Sequence, residues 1–246
     1  MNSKLLTIGQ ASKALGVSIQ TLRRWDDAGK LSSVRKEIAG HRCYTRDEID
    51  NYIKNNTKSL LVKLAKNWAV GDFKTEFYSD FYCLDSSVFQ ARLSRLESEL
   101  GGIRELGKTF PLISAITGEI GNNSFDHNLG NWPDIPGVFF AYDLSGRKIV
   151  LADRGRGILA TLKKVKPELK DHQEALRVAF TEVISGRAPE YRGNGLKFVK
   201  KIVQTNEMEL VFYTGDAKLE IQKKSFSLDI KKSNINLQGC LALIKF

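Results

Sequence analysis

The ten residues EIGNNSFDHN, at positions 119–128, combine two carboxylates, three side-chain amides and an imidazole. They follow the apolar run FPLISAIT, which predicts a helix entering a hydrophobic core. Glu119 and Asn123 are four residues apart and therefore share one face of that helix. A carboxylate can orient or deprotonate a water molecule, and an amide oxygen can bind Mg²⁺. Taken alone, the stretch is compatible with a surface, a helix end, a metal site or a nucleotide site.

Two glycine-containing motifs follow this helix along the chain. LADRGRGI, residues 151–158, places Asp-x-Gly-x-Gly at the end of an apolar strand, and RGNGLKFV, residues 192–199, places Gly-x-Gly at the start of a helix. Glycine lets a backbone approach a ligand closely, and the free N–H groups of a helix N-terminus attract phosphate. Neither motif is specific alone, because such glycines most often serve a turn.

Together, the three motifs resemble the N, G1 and G2 boxes of the GHKL ATPase superfamily, which includes gyrase, the heat-shock chaperone, histidine kinases and MutL. The resemblance covers about residues 100–246. It implies a Bergerat-type α/β two-layer sandwich with a mixed, mainly antiparallel sheet, and it implies ATP and Mg²⁺ as cofactors. It also implies that Glu119 is catalytic, that Asn123 binds the metal, and that Asp153 accepts from the adenine amino group. The other nucleotide-binding residues that it implies are Gly155, Gly157, Arg187, Arg192, Gly193, Gly195 and Lys197. Asp126 and His127 receive no role, and we interpret Asn122 and Asn128 as helix-end residues.

A second set of residues with recognisable chemistry lies near the N-terminus. In SIQTLRRWDDAG, residues 18–29, polar and basic side chains occupy the first turns of a predicted helix. Arg and Gln can make bidentate contacts to guanine and adenine. We therefore expect base contacts from Gln20, Thr21, Arg23 and Arg24. The extended segment that follows carries cations suited to phosphate, which positions a protein without specifying sequence. We expect those contacts from Arg35, Lys36, His41 and Arg42.

Two short helices joined by the Gly-containing turn GVS are typical of a helix-turn-helix. TIGQASKALGVSIQTLRRWDDAGKL, followed by AGHRCYTRDEI, resembles the winged helix-turn-helix of the MerR and excisionase families. That resemblance implies a small all-α domain whose second helix lies in the major groove of double-stranded DNA. MerR-type regulators dimerise through a long C-terminal helix, but no heptad run follows residue 53. We therefore expect any homodimer to involve the helices of residues 58–100 or the larger domain.

Helix caps and hydrophobic periodicity predict the elements that must position these residues. Thr7 with Gln10 and Thr45 with Glu48 have capping-box spacing, and Ser18 precedes the second helix. Further helices are predicted at about 58–70, 86–100 and 108–128, and over most of 158–204. GVFFAYDLSGRKIVLAD predicts a hairpin. Four terminal strands are predicted from ELVFYTG, AKLEIQ, SFSLDIK and GCLALIKF.

The distribution of charge separates the N-terminal segment from the rest. The chain has a net charge of +10, and residues 1–58 hold 11 Lys and Arg against 6 Asp and Glu. Half of the net charge therefore lies in less than a quarter of the chain, which favours an anionic partner for that segment. The polar stretch KNNTKS, residues 54–59, resembles a linker. We predict a DNA-binding domain at 1–57, a helical connector at 58–100 and an ATP-binding domain at 101–246.

Composition excludes several other classes of protein. Cys43, Cys83 and Cys240 are widely separated and form no Cys-x-x-Cys, so neither a disulfide framework nor a zinc knuckle is expected. The N-terminus lacks the apolar stretch of a signal peptide, and no run reaches the roughly 18 apolar residues of a membrane span. We therefore predict a cytoplasmic protein without a membrane partner.

The two resemblances predict a regulator in which an ATP-binding domain modulates a DNA-binding domain. The alternative is an ATP-hydrolysing enzyme, or an anti-sigma-like serine/threonine kinase, within a multi-protein system such as a defence system. Both functions are compatible with a protein partner. The sequence does not decide whether the protein is an enzyme. Autophosphorylation on histidine is disfavoured, because none of His41, His127 and His172 lies on a helix that precedes residues 119–128.

Overall fold

The computed structural model describes residues 5–15, 17–35, 40–71, 81–183 and 194–246. The chain forms two compact units, Met1–Ser79 and Asp80–Phe246. In the described segments, no helix is long and apolar enough to cross a membrane.

The first unit is a helix-turn-helix with a small sheet. Its elements are β1 (Leu5–Thr7), α1 (Ile8–Leu15), α2 (Ile19–Asp27), β2 (Val34–Arg35), β3 (Arg42–Thr45) and α3 (Arg46–Val70). The strands form an antiparallel sheet in the order β1-β3-β2. The predicted all-α domain is therefore wrong in one respect. The wing is the hairpin of β2 and β3. Leu6 pairs with Tyr44 of β3, and both side chains are buried, so the residues before the first helix form a strand against the wing.

The predicted caps of the first unit are confirmed. The Gln10 N–H donates to Thr7 Oγ1 and the Thr7 N–H to Gln10 Oε1, which closes a capping box at α1. Ser18 Oγ accepts from the Thr21 N–H at the start of α2. A second capping box joins Thr45 and Glu48 at the start of α3.

Helix α3 is longer than the sequence predicts. It runs without a break from Arg46 to Val70 and ends at Gly71. The stretch KNNTKS therefore lies inside a helix, although we predicted a boundary after residue 57. The physical reason is that polar residues do not end a helix, and no Gly or Pro occurs between Thr45 and Gly71. The segment predicted as a helical connector holds the end of α3, a short strand and one further helix.

The second unit is an α/β layer structure. Its strands are β4 (Tyr82–Cys83), β5 (Val138–Asp143), β6 (Lys148–Asp153), β7 (Glu209–Ile221) and β8 (Asp229–Lys245), in the order β4-β5-β6-β8-β7. Every pairing among these described strands is antiparallel, where a mixed sheet was expected. The predicted hairpin is formed by β5 and β6.

The two terminal strands replace the four that the sequence predicts. Thr214 pairs with Cys240, Gly215 with Leu237 and Ala217 with Lys232, so β8 contains extra residues opposite Gly215. Gly215 has a positive φ of 52° at this irregularity. A bulge of this kind redirects a strand without ending it. The glycine that we interpreted as the end of a strand therefore marks a bend within one.

Among the described residues, five α-helices accompany the sheet: α4 (Ser86–Gly101), α5 (Phe110–Asn128), α6 (Gly157–Leu162), α7 (His172–Thr181) and α8 (Gly195–Thr205). A 3₁₀ helix, Arg104–Thr109, leads into α5. One apolar core joins buried side chains of α4, α5, α7 and α8 to those of β5–β8. Phe89 of α4 packs edge-on against Phe140 of β5, with ring centroids 5.3 Å apart. The same Phe89 ring fills the space beside Gly121 of α5.

We predict that Gly121→Ala destabilises the second unit. An added Cβ would overlap the Phe89 ring, and overpacking of this kind costs about 1–3 kcal/mol, more than alanine gains as a helix former. The measurement is the free energy of unfolding in urea. Gly101→Ala is the matched control on α4, because its Cβ would lie 3.6 Å from Phe110, an ordinary contact. Equal stability of Gly121→Ala and Gly101→Ala would contradict the packing argument.

Candidate functional site

Two segments that are distant in the sequence, the start of α8 and the loop after β6, contact the C-terminal half of α5. Asn123 Nδ2 donates to Glu119 Oε1 at 3.2 Å, one helical turn away. Gly195, the first residue of α8, lies so close to this pair that a Cβ on it would overlap Glu119 Oε1. The structure therefore brings together three of the predicted residues, Glu119, Asn123 and Gly195. Since Asn123 donates through its nitrogen, its Oδ1 is the atom left to bind a cation.

The carboxylate of Glu119 lies at the N-terminus of α8. The preceding residue, Asn194, makes no side-chain capping hydrogen bond to this helix. The first N–H groups of a helix have no intrahelical partner and carry partial positive charge. A negative group is therefore stabilised here, whether it is the glutamate or the phosphate of a ligand. Substitution of Gly195 by a larger residue would push the two elements apart.

Asp153 ends β6 and is almost completely buried, with 3% of its surface exposed. Its Oδ2 accepts from Ser124 Oγ at 2.8 Å, and its Oδ1 accepts from the Gly155 N–H at 2.8 Å. Burial raises the pKa of Asp153, and the hydrogen bonds from Ser124, Gly155 and the Cys240 N–H only partly oppose this. Desolvation disfavours the charged form of a carboxyl group. The group is thus tied to α5, to its own loop and to β8.

Asn128 supports the loop that follows Asp153. Its Nδ2 donates to the Ser124 carbonyl at 2.8 Å, and its Oδ1 accepts from the Arg156 N–H at 2.9 Å. Gly155 packs directly against this amide, so that a Cβ there would overlap it. The interpretation of Asn128 as a helix-end residue missed this role. Its spacing of four residues from Ser124 indicates only the hydrogen bond within α5, whereas the contact with the loop depends on a residue 28 positions away.

The bulge of β8 covers the other side of the same loop. Gly157 has φ 73°, and a Cβ on it would lie 2.9 Å from the Gln238 carbonyl and 3.1 Å from Thr214 Oγ1. Thr214 also accepts from the Ile158 N–H at 3.1 Å. Sequence reasoning did not identify Thr214, because only the irregular pairing of β7 with β8 places it at this loop.

Lys197 and Asn122 are both hydrogen-bonded to other parts of the protein. Lys197 Nζ donates to the Glu182 carbonyl at 2.5 Å, and burial, with Lys200 nearby, lowers the pKa of Lys197. Asn122 accepts from Gln90 Nε2 at 2.6 Å and therefore faces α4. Arg187, Arg192 and Gly193 lie outside the described residues. No group of three His, Cys, Asp or Glu suited to a metal occurs in the described segments, but Mg²⁺ sites that use substrate phosphates and waters need only one or two protein oxygens.

The exposed face of α2 carries the predicted base-contacting residues of the first unit. Gln20, Arg23 and Arg24 are exposed and lie three and four residues apart, on one side of the helix. Thr21 is half-buried, and its hydroxyl and N–H both bond to the Ser18 hydroxyl. Three of the four side chains are therefore accessible, and Thr21 belongs to the helix cap.

Of the residues predicted to contact phosphate from the wing, some are exposed and one is bonded within the domain. Arg35 and His41 are exposed. Arg42 points back at α2, where its Nε donates to Asp26 Oδ2 at 2.6 Å and its Nη2 to Asp27 Oδ1 at 2.7 Å. Lys36 lies outside the described residues.

The model of the MerR family regulatory proteins matches residues 7–44. These residues form a MerR-family helix-turn-helix domain. The chain is also 41% identical, over 46 residues, to the type II methyltransferase M.Eco47II of Escherichia coli. That match covers 19% of this chain and 11% of the methyltransferase, so the chain spans about a tenth of that relative's length.

The MerR-family domain includes both candidate DNA-contacting elements, α2 and the wing. Trp25 lies on α2 but is half-buried and does not belong to the exposed face. Its ring packs against Tyr52 of α3 with centroids 4.9 Å apart. Trp25 therefore packs α2 against α3.

In the second unit, we predict that Asp153→Asn changes how stability depends on pH. A carboxyl group whose pKa is raised by folding stabilises the protein most below its unfolded pKa of about 3.9. That stability is lost as the pH rises through the folded pKa. Asparagine cannot ionise. As the pH rises through this range, the unfolding free energy of the variant should therefore increase relative to that of the parent. The measurement is urea unfolding at a series of pH values.

Asp85→Asn provides a control of opposite sign. Hydrogen bonds from Ser87 and from the Val88 N–H lower the pKa of the Asp85 carboxyl, which caps α4. Its stabilising effect is present above the unfolded pKa and is lost as the pH falls through the folded pKa. Parallel pH profiles for Asp153→Asn and the parent would contradict the burial argument.

Proposed function

We propose that this protein is a DNA-binding regulator whose MerR-family domain responds to ATP and Mg²⁺ bound in the second unit. The observation that carries the proposal is that the start of α8 and the loop of residues 153–158 both contact the C-terminal half of α5. This region holds the Glu119 carboxylate, the Asn123 amide and the N-terminus of α8, together with the buried Asp153. The resemblance to GHKL ATPases supports the same assignment.

Each part of this region suits one part of the nucleotide. The N-terminus of α8 offers N–H groups to phosphate, and Asn123 Oδ1 offers an oxygen ligand to Mg²⁺. Asp153 retains unused lone pairs for the amino group of adenine, because a carboxylate can accept about four hydrogen bonds. Gly155 and Gly157 shape the loop beside it, because neighbouring protein atoms already occupy the space that a side chain would need.

The MerR-family domain supplies the DNA-binding half of the proposal. Gln20, Arg23 and Arg24 project from one side of α2, and Arg35 and His41 are exposed on the wing. A helix in the major groove with a wing on the backbone divides base contacts from phosphate contacts. If ATP alters the DNA affinity, linkage requires that DNA alter the ATP affinity by the same factor.

We predict that Arg24→Ala and Arg23→Ala each weaken DNA binding. The probe is the double-stranded DNA that the parent protein selects from a random-sequence pool. Removal of one bidentate base interaction costs about 1–3 kcal/mol, which corresponds to roughly 5–150-fold in affinity. Arg95→Ala is the control, because this arginine is 77% exposed and lies in the second unit. Losses no larger than that of Arg95→Ala would contradict the assignment of α2.

A second candidate function is ATP hydrolysis, or transfer of the terminal phosphate to a protein hydroxyl. Glu119 favours it, because a regulator that only binds ATP needs no carboxylate beside the phosphates. Its hydrogen bond to Asn123 holds the carboxylate next to the proposed Mg²⁺ ligand. A general base at this position would take a proton from the attacking water or hydroxyl. A protein partner and a homodimer both stay predictions.

We predict that Glu119→Gln keeps ATP–Mg²⁺ binding but lowers phosphate release by about 100-fold or more, the usual contribution of a general base. Binding is measured by calorimetry and turnover by phosphate release. Asn122→Ala is the control, because Asn122 faces α4 and should leave both quantities unchanged.

The same proteins separate the two candidate functions. A change in DNA affinity at saturating ATP–Mg²⁺, without turnover in the parent, supports the regulator. Turnover that disappears in Glu119→Gln supports the enzyme. Absence of ATP–Mg²⁺ binding by the parent chain would refute the nucleotide site altogether.

A further inference from the structure

The wing residue Arg42 is held away from solvent by two carboxylates of α2. Its Nε donates to Asp26 Oδ2 at 2.6 Å, and its Nη2 donates to Asp27 Oδ1 at 2.7 Å. The side chain of Arg42 is 22% exposed and that of Asp26 13%, whereas that of Asp27 is 66% exposed. Asp26 is therefore the sheltered partner, and Asp27 is the peripheral one.

Asp26 collects further hydrogen bonds from the segment between α2 and β2. The Ser33 N–H donates to Asp26 Oδ1 and the Ser33 hydroxyl to Asp26 Oδ2, both at 2.7 Å. These bonds and the guanidinium of Arg42 lower the pKa of Asp26 despite its burial. One carboxylate thus joins the last turn of α2, the start of β2 and the strand β3.

This junction lies between the two elements that are expected to contact DNA. Arg23 and Arg24 lie on α2 within one turn of Asp26, while Arg35 of β2 pairs directly opposite Arg42 of β3. Contacts in a groove and contacts to phosphates form together only if the two elements keep a fixed separation. In the described part of the wing, Arg35 and His41 are exposed, whereas Arg42 is directed inward.

We propose that Arg42 is a positioning residue for DNA binding, which acts through Asp26 by fixing the wing relative to α2, and that it does not itself contact phosphate. The proposal rests on the DNA-binding function proposed above. It assigns Asp26, an acidic residue in a DNA-binding domain, a favourable effect on DNA affinity.

The sign of the effect of Asp26→Asn tests this assignment. Removal of a negative charge near DNA should strengthen binding if charge alone matters. Disruption of the junction should instead weaken binding to the selected DNA by about tenfold, the effect of breaking one charged hydrogen bond. Asp27→Asn is the matched control, because it makes the same change of charge at the neighbouring, exposed position. It also breaks the Arg42–Asp27 ion pair, but the Asp27 side chain is 66% exposed and such a pair contributes little, so the variant should bind the DNA as tightly as the parent or more tightly.

The salt dependence of binding distinguishes positioning from a loss of stability. If the wing is released, it no longer neutralises phosphates, and the slope of log K against log salt becomes shallower by about 0.9 for each phosphate that the wing had neutralised. A variant that is only less stable keeps the slope of the parent. A simple gain of positive charge makes the slope steeper.

Arg42→Lys and Ser33→Ala complete the set of variants. Arg42→Lys keeps the charge but removes the planar fork that reaches both carboxylates, so it should bind DNA about as weakly as Asp26→Asn. The double variant that combines Arg42→Lys with Asp26→Asn should lose no more affinity than either single variant, because both changes break the same interaction. Ser33→Ala alters no charge and should give a smaller decrease in the same direction. It also keeps the test valid if Asp26→Asn fails to fold, as judged by circular dichroism.

The outcomes for these variants differ in sign. Weaker binding and a shallower salt slope for Asp26→Asn, with neither change for Asp27→Asn, support the positioning role. Unchanged or tighter binding by Asp26→Asn overturns it, and so does full affinity of Arg42→Lys. If Asp26→Asn fails to fold, full affinity of Ser33→Ala overturns the proposal instead. Failure of the parent itself to bind any selected DNA would refute the proposed function instead.

Discussion

The second unit is organised around one buried carboxylate, that of Asp153. A charged or hydrogen-bonding group removed from water costs several kcal/mol unless partners satisfy it. Its partners come from three elements: the Ser124 hydroxyl of α5, the Gly155 N–H of its own loop and the Cys240 N–H of β8. The positions of α5 and β8 relative to the end of β6 are therefore coupled, and a shift of either one leaves the carboxylate unsatisfied.

The glycines around this carboxylate follow from the same close packing, and they do so for different reasons. Gly155 and Gly239 leave no room for a Cβ beside Asn128 and beside the Asp153 backbone. Gly157 has in addition a positive φ of 73°, which other residues rarely adopt. A pattern of glycines in a sequence does not distinguish these cases. The distinction matters for function, because a glycine that is closed off by protein atoms shapes the loop, whereas one facing open space can admit a ligand.

Local signals in the sequence predicted much of this architecture. The capping residues Thr7, Ser18 and Thr45, the helical spacing of Glu119 and Asn123, and the β5–β6 hairpin all depend on residues that are close in sequence. The irregular pairing of β7 with β8 and the strand β1 depend on partners far along the chain. Thr214 and the supporting role of Asn128 were missed for this reason. The end of α3 was misplaced because polarity resembles a linker, whereas only Gly71 ends the helix.

The two units place the charged residues that were assigned from sequence in different surroundings. Arg42 was assigned to phosphate because it follows a recognition helix, yet its carboxylate partner Asp26 lies 16 residues earlier and satisfies it within the domain. Glu119, in contrast, was assigned to chemistry, and in the structure it lies at the positive end of α8. A bound phosphate would occupy the same favourable field and would repel the glutamate unless a cation lay between them. The position of Glu119 is thus consistent with the proposed use of Mg²⁺ through Asn123, because one divalent cation would offset both negative groups at this helix end.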